Sequence, residues 1–280
     1  MGPPFQKISI LGGGVLGGSI ALALNGMSES CLWFRKPEAL PLARDLGLGS
    51  ATSDLSIAVA SADLLILAVP VGAMPALLTA ALEAGLPPTC LVTDVGSVKQ
   101  RPHRSLAPIL EKSGNHFIGS HPMAGSEKNG LAAAKHDLFQ NAACLLTNNS
   151  LAPDLLCQQL EAFWKSLGCR TSWLSAADHD HLVAHISHLP HILAAACALT
   201  ALENPELGHL GGGGLRDTTR IASGNPEMWA EILTENHAAI IPTIHQSIAH
   251  LRELLATLEK PDQNLTQQWL LTAKRLRDTL

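Results

Sequence analysis

The stretch "KISILGGGVLGGSIALAL", Lys7–Leu24, decides the fold. "KISIL" is a short apolar run of the kind buried as a strand, and "GGSIALAL" continues as an apolar helix. Between them Gly12, Gly14 and Gly17 keep the spacing G-x-G-x-x-G. In a strand–turn–helix setting the first glycine permits the tight turn and the second lets the backbone approach a pyrophosphate. The third lets helix and strand pack closely. The helix N-terminus turns its N–H groups toward the phosphates. Gly12, Gly14, Val15, Leu16 and Gly17 are therefore the expected cradle of a dinucleotide.

Outward from this stretch the pattern repeats. Apolar runs at 7–11, 30–34, 63–69, 90–95, 116–120, 143–147 and 169–174 read as strands, with helical segments between most of them. Such alternation predicts a Rossmann-like doubly wound parallel sheet over residues 1–175, covered on both faces. From about Ala176 the apolar period becomes 3.6, which predicts an all-helical part over 176–280. Its first helix, "ADHDHLVAHISHLPHILAAACALTALE", contains Pro190, which lacks an N–H and is expected to kink it. After the Gly211–Gly214 turn, Asn225 and Pro226 read as N-cap and first residue of a second long helix. Its apolar face runs from Trp229 to Leu258. A last helix is expected from Asp262 onward.

Composition excludes several classes. A formal charge of −5 with 15% charged residues argues against a nucleic-acid binder. Six scattered cysteines without a C-x-x-C pair read as reduced thiols. The N-terminus lacks a signal-peptide pattern, and the apolar runs look interrupted before the roughly 18 residues of a membrane span. A soluble cytoplasmic protein is expected, with no nucleic-acid or membrane partner and no appended regulatory domain.

The end of the second strand bears on cofactor choice. An NAD site carries Asp or Glu there for the ribose, whereas this chain has Phe34 followed by Arg35 and Lys36. Two cations suit the 2′-phosphate of NADP, so NADP is expected in preference and NAD remains possible. Val69 and Pro70, with small neighbours, would let the nicotinamide half lie close.

Three further segments supply chemistry: "TDVGSVK" (93–99), "GSHPMAGSEKNG" (119–130) and "GGGLRDTTRIASGNPEMW" (212–229). With every strand taken as parallel, the first two begin at carboxyl ends, where ligands sit in open sheets. His121 suits a general base, with an ionisation expected between about pH 5 and 8. Arg220 offers a two-pronged fork for a carboxylate. His181, His185, His188 and His191 fall on one helical face. The usual zinc signatures are missing, so the face reads as a pocket wall and no metal is expected.

With "SHLPH" (187–191), these segments make the chain resemble the prephenate/arogenate dehydrogenase family of tyrosine biosynthesis, in motif order and spacing over nearly its whole length. The resemblance implies NAD(P)-dependent oxidative decarboxylation of prephenate or arogenate, and a helical C-terminal domain that forms a homodimer. It implies His121 as catalytic base, Ser97 at the same substrate hydroxyl and Arg220 on the substrate carboxylate. His179, His188, His191, Glu127 and Trp229 would line or support the pocket. For arogenate, Glu127 or Asp217 would meet the ammonium. A β-hydroxyacid dehydrogenase would need a lysine base in its second domain, yet residues 176–259 contain none. A catalytically inactive NADP-sensing protein is the remaining alternative.

Overall fold

The computed structural model describes residues 4–48, 50–125 and 129–280. Its first half runs β1 (Lys7–Leu11), α1 (Val15–Leu24), β2 (Glu29–Trp33), the short helices α2 (Leu40–Asp45) and α3 (Leu55–Val59), and β3 (Leu64–Leu67). It continues through α4 (Met74–Glu83), β4 (Leu91–Asp94), α5 (Gln100–Ser113), β5 (Phe117–Pro122), β6 (Ala143–Thr147), α6 (Asp154–Ser166) and β7 (Arg170–Leu174). The strands form one sheet in the order β2-β1-β3-β4-β5-β6-β7. Side chains alternate across its faces: Leu64 and Ile66 join one apolar core with Ile10, Phe163 and Trp164, while Leu65 and Leu67 join the other with Leu78 and Phe117. A Rossmann-like sheet with helices on both sides results, as expected.

Its direction departs from expectation in one place. β5 and β6 pair antiparallel, Gly119 opposite Thr147 and His121 opposite Leu145. Among the described residues between them there is one short 3-10 turn, Leu131–Ala133, and no crossover helix. Antiparallel neighbours need no crossover, so this wide loop remains free to shape the cleft. β5 also runs two residues further than the sequence suggests, so His121 and Pro122 are strand residues.

The second half is helical: α7 (Ala176–Val183), α8 (Leu189–Ala201), α9 (Gly213–Thr219), α10 (Pro226–Glu235), α11 (His237–Glu259) and α12 (Gln263–Arg277). Pro190 does not break the first of these. The chain passes through one π turn, Ala184–His188, in which the Leu189 N–H reaches back to the Ala184 carbonyl. A wider turn accommodates the proline and leaves α7, the π turn and α8 as one continuous helix. That corrects the interrupted-run reading, because Ala176–Ala201 is long and apolar enough to cross a membrane by length and composition. It also carries Asp178, Asp180 and five histidines, costly residues in hydrocarbon, and Asp180 and His179 bond to the sheet domain.

The second long helix divides in two at Asn236, where φ is −106° and ψ 17°. Its start is as expected, with the Asn225 side chain accepting from the Met228 N–H at 2.9 Å. Gly213 and Gly214 lie in α9, so the glycine turn is shorter than the sequence suggests. Asp262 caps α12 by accepting from Asn264 and Leu265.

Candidate active site

The glycine loop between β1 and α1 forms one wall. Gly12 has φ +122°, and a Cβ there would stand 2.2 Å from the Ala68 carbonyl oxygen. A Cβ at Gly17 would meet the Gly12 carbonyl oxygen at 1.9 Å, which is close helix–turn packing. Gly14 faces open space, with nothing within 4 Å of its Cβ position. The first turn of α1 holds no acidic residue and no side-chain cap, so its amides are available to an anion. These features fit a dinucleotide pyrophosphate. Phe34 is buried, and its ring would lie 1.8 Å from a Cβ at Gly13, so it packs over the loop. Arg35 and Lys36 are exposed just beyond it.

Between the sheet and the helical half lies a cavity of about 1100 Å³. Gly14, Val15, Leu16, Val69 and Pro70 line one side of it, and Ser97, His121, His188, His191, Arg220 and Trp229 its other walls. Gly12, Gly17, Phe34, Arg35 and Lys36 stand outside this lining. His179 lies directly behind His121, and Glu127 falls outside the described residues. Asp217 is exposed on α9, whereas Glu227 and Glu231 of α10 do line the cavity.

A line of polar groups crosses from helix to sheet. His121 Nδ1 lies 2.9 Å from His179 Nε2, and His179 Nδ1 lies 2.8 Å from Asp180 Oδ1. Asp180 in turn accepts the Lys99 N–H at 2.7 Å and the Gln100 N–H at 3.0 Å. Burial holds His121 well below its ordinary pKa, helped by the positive neighbourhood of His179, Lys99 and His188. Burial also lowers His179, against the pull of Asp180. Burial alone would raise Asp180, but bonds from His179, Gln100 and Lys99 outweigh it and keep the carboxyl low. At neutral pH both rings are therefore neutral and Asp180 is charged.

The "DVGSVK" motif is largely architectural. The Lys99 Nζ sits 2.5 Å from Asp94 Oδ2 with both side chains fully buried. Asp94 also accepts from Gly96 and Ser120 amides, which staples the loop carrying Ser97 to β4 and β5. A buried pair of this kind is costly to break at one end.

The histidine face resolves into two pairs. Asn236 donates through Nδ2 to the Asp180 carbonyl at 2.8 Å and lies 3.1 Å from His188 Nδ1. The break between α10 and α11 puts this side chain there. Burial pushes His188 down to about 4, so the ring is neutral, and with Nδ1 accepting, its Nε2 carries the proton. That Nε2 and His191 Nδ1 are buried without a hydrogen-bond partner among the described residues. His191 lies flat on Trp229, ring centroids 3.5 Å apart. His181 and His185 are exposed and contact each other instead, because the π turn rotates them away from His188 and His191. The four do not share one face.

Sequence reading missed Asp180, Asn236, the Asp94–Lys99 pair and Glu231, whose Oε1 accepts the Gly72 N–H at 2.5 Å across the cleft. Only the Asp94–Lys99 pair left a signal, two opposite charges closing a short loop inside one motif.

Comparison with known proteins agrees with this arrangement. The model of the prephenate dehydrogenase nucleotide-binding domain matches residues 31–173, and that of the prephenate dehydrogenase dimerization domain matches 175–272. A prephenate dehydrogenase of Bacillus subtilis is 34% identical over 98% of this chain and 76% of its own. The crystal structure of a prephenate dehydrogenase from A. aeolicus, in complex with hydroxyphenyl propionate and NAD+, superposes with a TM-score of 0.88 at 29% identity over 98% of both chains. A Synechocystis arogenate dehydrogenase gives 0.77 at 29% identity, over 98% of this chain and 99% of its own. A glycine loop, a strand-held histidine and an arginine gathered on one interdomain cavity, together with these matches, place the chain in the prephenate dehydrogenase family of NAD(P)-dependent oxidoreductases.

Proposed function

We propose that the chain oxidatively decarboxylates prephenate to 4-hydroxyphenylpyruvate in tyrosine biosynthesis, as a cytoplasmic homodimer, with the domain boundary between 175 and 176. One observation carries the reading: Gly14, Val15 and Leu16 of the glycine loop share a cavity with Ser97, His121 and Arg220.

In this reading His121 Nε2 takes the proton of the ring hydroxyl, while the Ser97 hydroxyl bonds the same oxygen and holds it in line. Gly14, Val15 and Leu16 would hold the dinucleotide by its pyrophosphate and Val69 and Pro70 would leave room for its nicotinamide half, which would supply the hydride acceptor for the adjoining carbon. Arg220 pairs with the carboxylate through its planar fork. His188 turns a neutral N–H toward a substrate oxygen. Loss of carbon dioxide is driven by aromatisation of the ring and requires no metal ligand from the chain. Phe34, Arg35 and Lys36 favour NADP over NAD.

Arogenate is the second reading, favoured by Glu227 and Glu231 on the cavity wall, since a carboxylate there suits the substrate ammonium. Steady-state kinetics with prephenate and arogenate, each with NAD and NADP, test the assignment. A kcat/KM for prephenate with NADP above the other three combinations is expected, and the highest value with arogenate would replace the substrate.

A further inference from the structure

We propose that Asp180 and His179 are positioning residues that hold His121 in the one tautomer able to accept a proton from substrate. The inference rests on the reading of His121 as base. Direction along the line follows from donor and acceptor inventory. An ionised carboxylate only accepts, so His179 Nδ1 must carry the proton it shares with Asp180 Oδ1 at 2.8 Å. The neutral His179 ring then has a bare Nε2, which accepts from His121 Nδ1 at 2.9 Å. His121, neutral as well, is left with its proton on Nδ1 and a lone pair on Nε2, the nitrogen that remains for the cavity. No other arrangement of two neutral imidazoles satisfies both contacts.

What fixes Asp180 is the opposite domain. Lys99 precedes α5 and makes no side-chain cap, and the first turn of α5 has no acidic residue. Asp180 fills that role from α7: its two oxygens accept the Lys99 and Gln100 amides at the start of the helix, where the dipole favours an anion. The base is therefore armed only when the helical half docks on the sheet. Asn236 holds the Asp180 carbonyl from the other side.

Among the described residues, the charged and titratable groups around His121 are His179 and Asp180 on α7, Lys99 before α5, Asp94 on β4, Cys144 on β6 and His188 on the π turn. Among these Asp180 is the anion bonded into the line. When Nε2 takes the substrate proton, the line gains that one proton, and the positive charge on His121 is stabilised through the His179 hydrogen bonds by the Asp180 carboxylate, which stays ionised.

Asp180→Asn keeps the shape but removes the charge that steadies protonated His121, and an amide turned with Nδ2 toward His179 Nδ1 also reverses both rings and puts a proton on His121 Nε2. Wild-type turnover of prephenate or arogenate is established first: a chain inactive with both overturns the reading of the site and the proposal that rests on it, whereas an active wild type lets the variants test the line alone. With an active wild type, Asp180→Asn is expected to lower kcat by roughly 10²–10⁴ with KM changed less than about threefold, and to displace the acid limb of the kcat–pH profile. Unchanged kcat and an unchanged limb would overturn the proposal, as would a loss confined to KM. If Asp180→Asn fails to fold, His179→Leu breaks the line while leaving the cap of α5 in place and is expected to show the same kcat loss. His179→Gln can accept from His121 and donate to Asp180, so it is expected to recover at least about tenfold over the leucine variant. A glutamine no better than leucine would also contradict the account.

Discussion

His121 and His179 meet at 2.9 Å although one is a strand residue of the sheet and the other belongs to the first helix of the second half. A side chain mounted on a strand has little freedom to drift, which suits the base proposed for His121, and its partner ring reaches it only through docking of the two halves. Replacing His121 by Asn is expected to lower kcat by roughly 10²–10⁴, the usual contribution of a general base, with a much smaller effect on KM. The pH profile has a definite sign. His121 must be neutral to accept a proton, and burial holds its pKa well below the ordinary value of about 6.5. Wild-type kcat is therefore flat above neutrality and falls as pH drops through that lowered value, on the acid side of the pH 5 to 8 window. A profile rising through pH 7 would show that the ring is less desolvated than the fold implies.

Arg220 stands in the 3-10 turn Arg220–Ser223 after α9 and lines the same cavity as the glycine loop. Charged hydrogen bonds contribute about 1.5–3 kcal/mol, so Arg220→Ala is expected to raise KM for prephenate roughly 10- to 150-fold. An unaltered KM would move the carboxylate site elsewhere.

Phe34 covers the glycine loop at the place where a ribose-binding acid would sit, and two exposed cations follow it. Phe34→Asp combined with Arg35→Ala is expected to reverse a preference for NADP, by adding a ribose acceptor and removing the guanidinium fork. The wild-type ratio should fall with added salt. Equal kcat/KM for the two cofactors in the wild type would show that Arg35 does not read the phosphate.

Leu251, Leu255 and Leu258 of α11 step by four and three and are 58%, 55% and 55% exposed, and Leu265 and Leu270 of α12 are 53% and 55% exposed. An apolar face of this extent suits a second copy of the chain. Sedimentation should find a dimer at micromolar concentration, and Leu251→Lys with Leu255→Lys should yield monomers. A stable wild-type monomer would remove the homodimer from the account.

The sheet was legible because its strands are continuous apolar runs and the glycine loop states its own context. Its one reversal was not. A strand buried on both faces, such as β5, carries no alternation that marks direction, and among its described residues the loop before β6 holds one short 3-10 turn. The π turn was hidden for a similar reason: Pro190 announces a disturbance, but whether the helix bends or widens depends on packing. That single turn separated four histidines that a 3.6 period places together. His121, Ser97 and Arg220 stood out as motif residues. Asp180 did not, because the groups it binds are backbone amides some 80 residues away, which leave no mark in side-chain identity.

The most direct measurement follows the products of prephenate with NADP. The account predicts reduced nicotinamide, carbon dioxide and 4-hydroxyphenylpyruvate in equal amounts from the wild-type chain, at a rate lost in His121→Asn. No reduced nicotinamide from prephenate or arogenate, with either NAD or NADP, would contradict it.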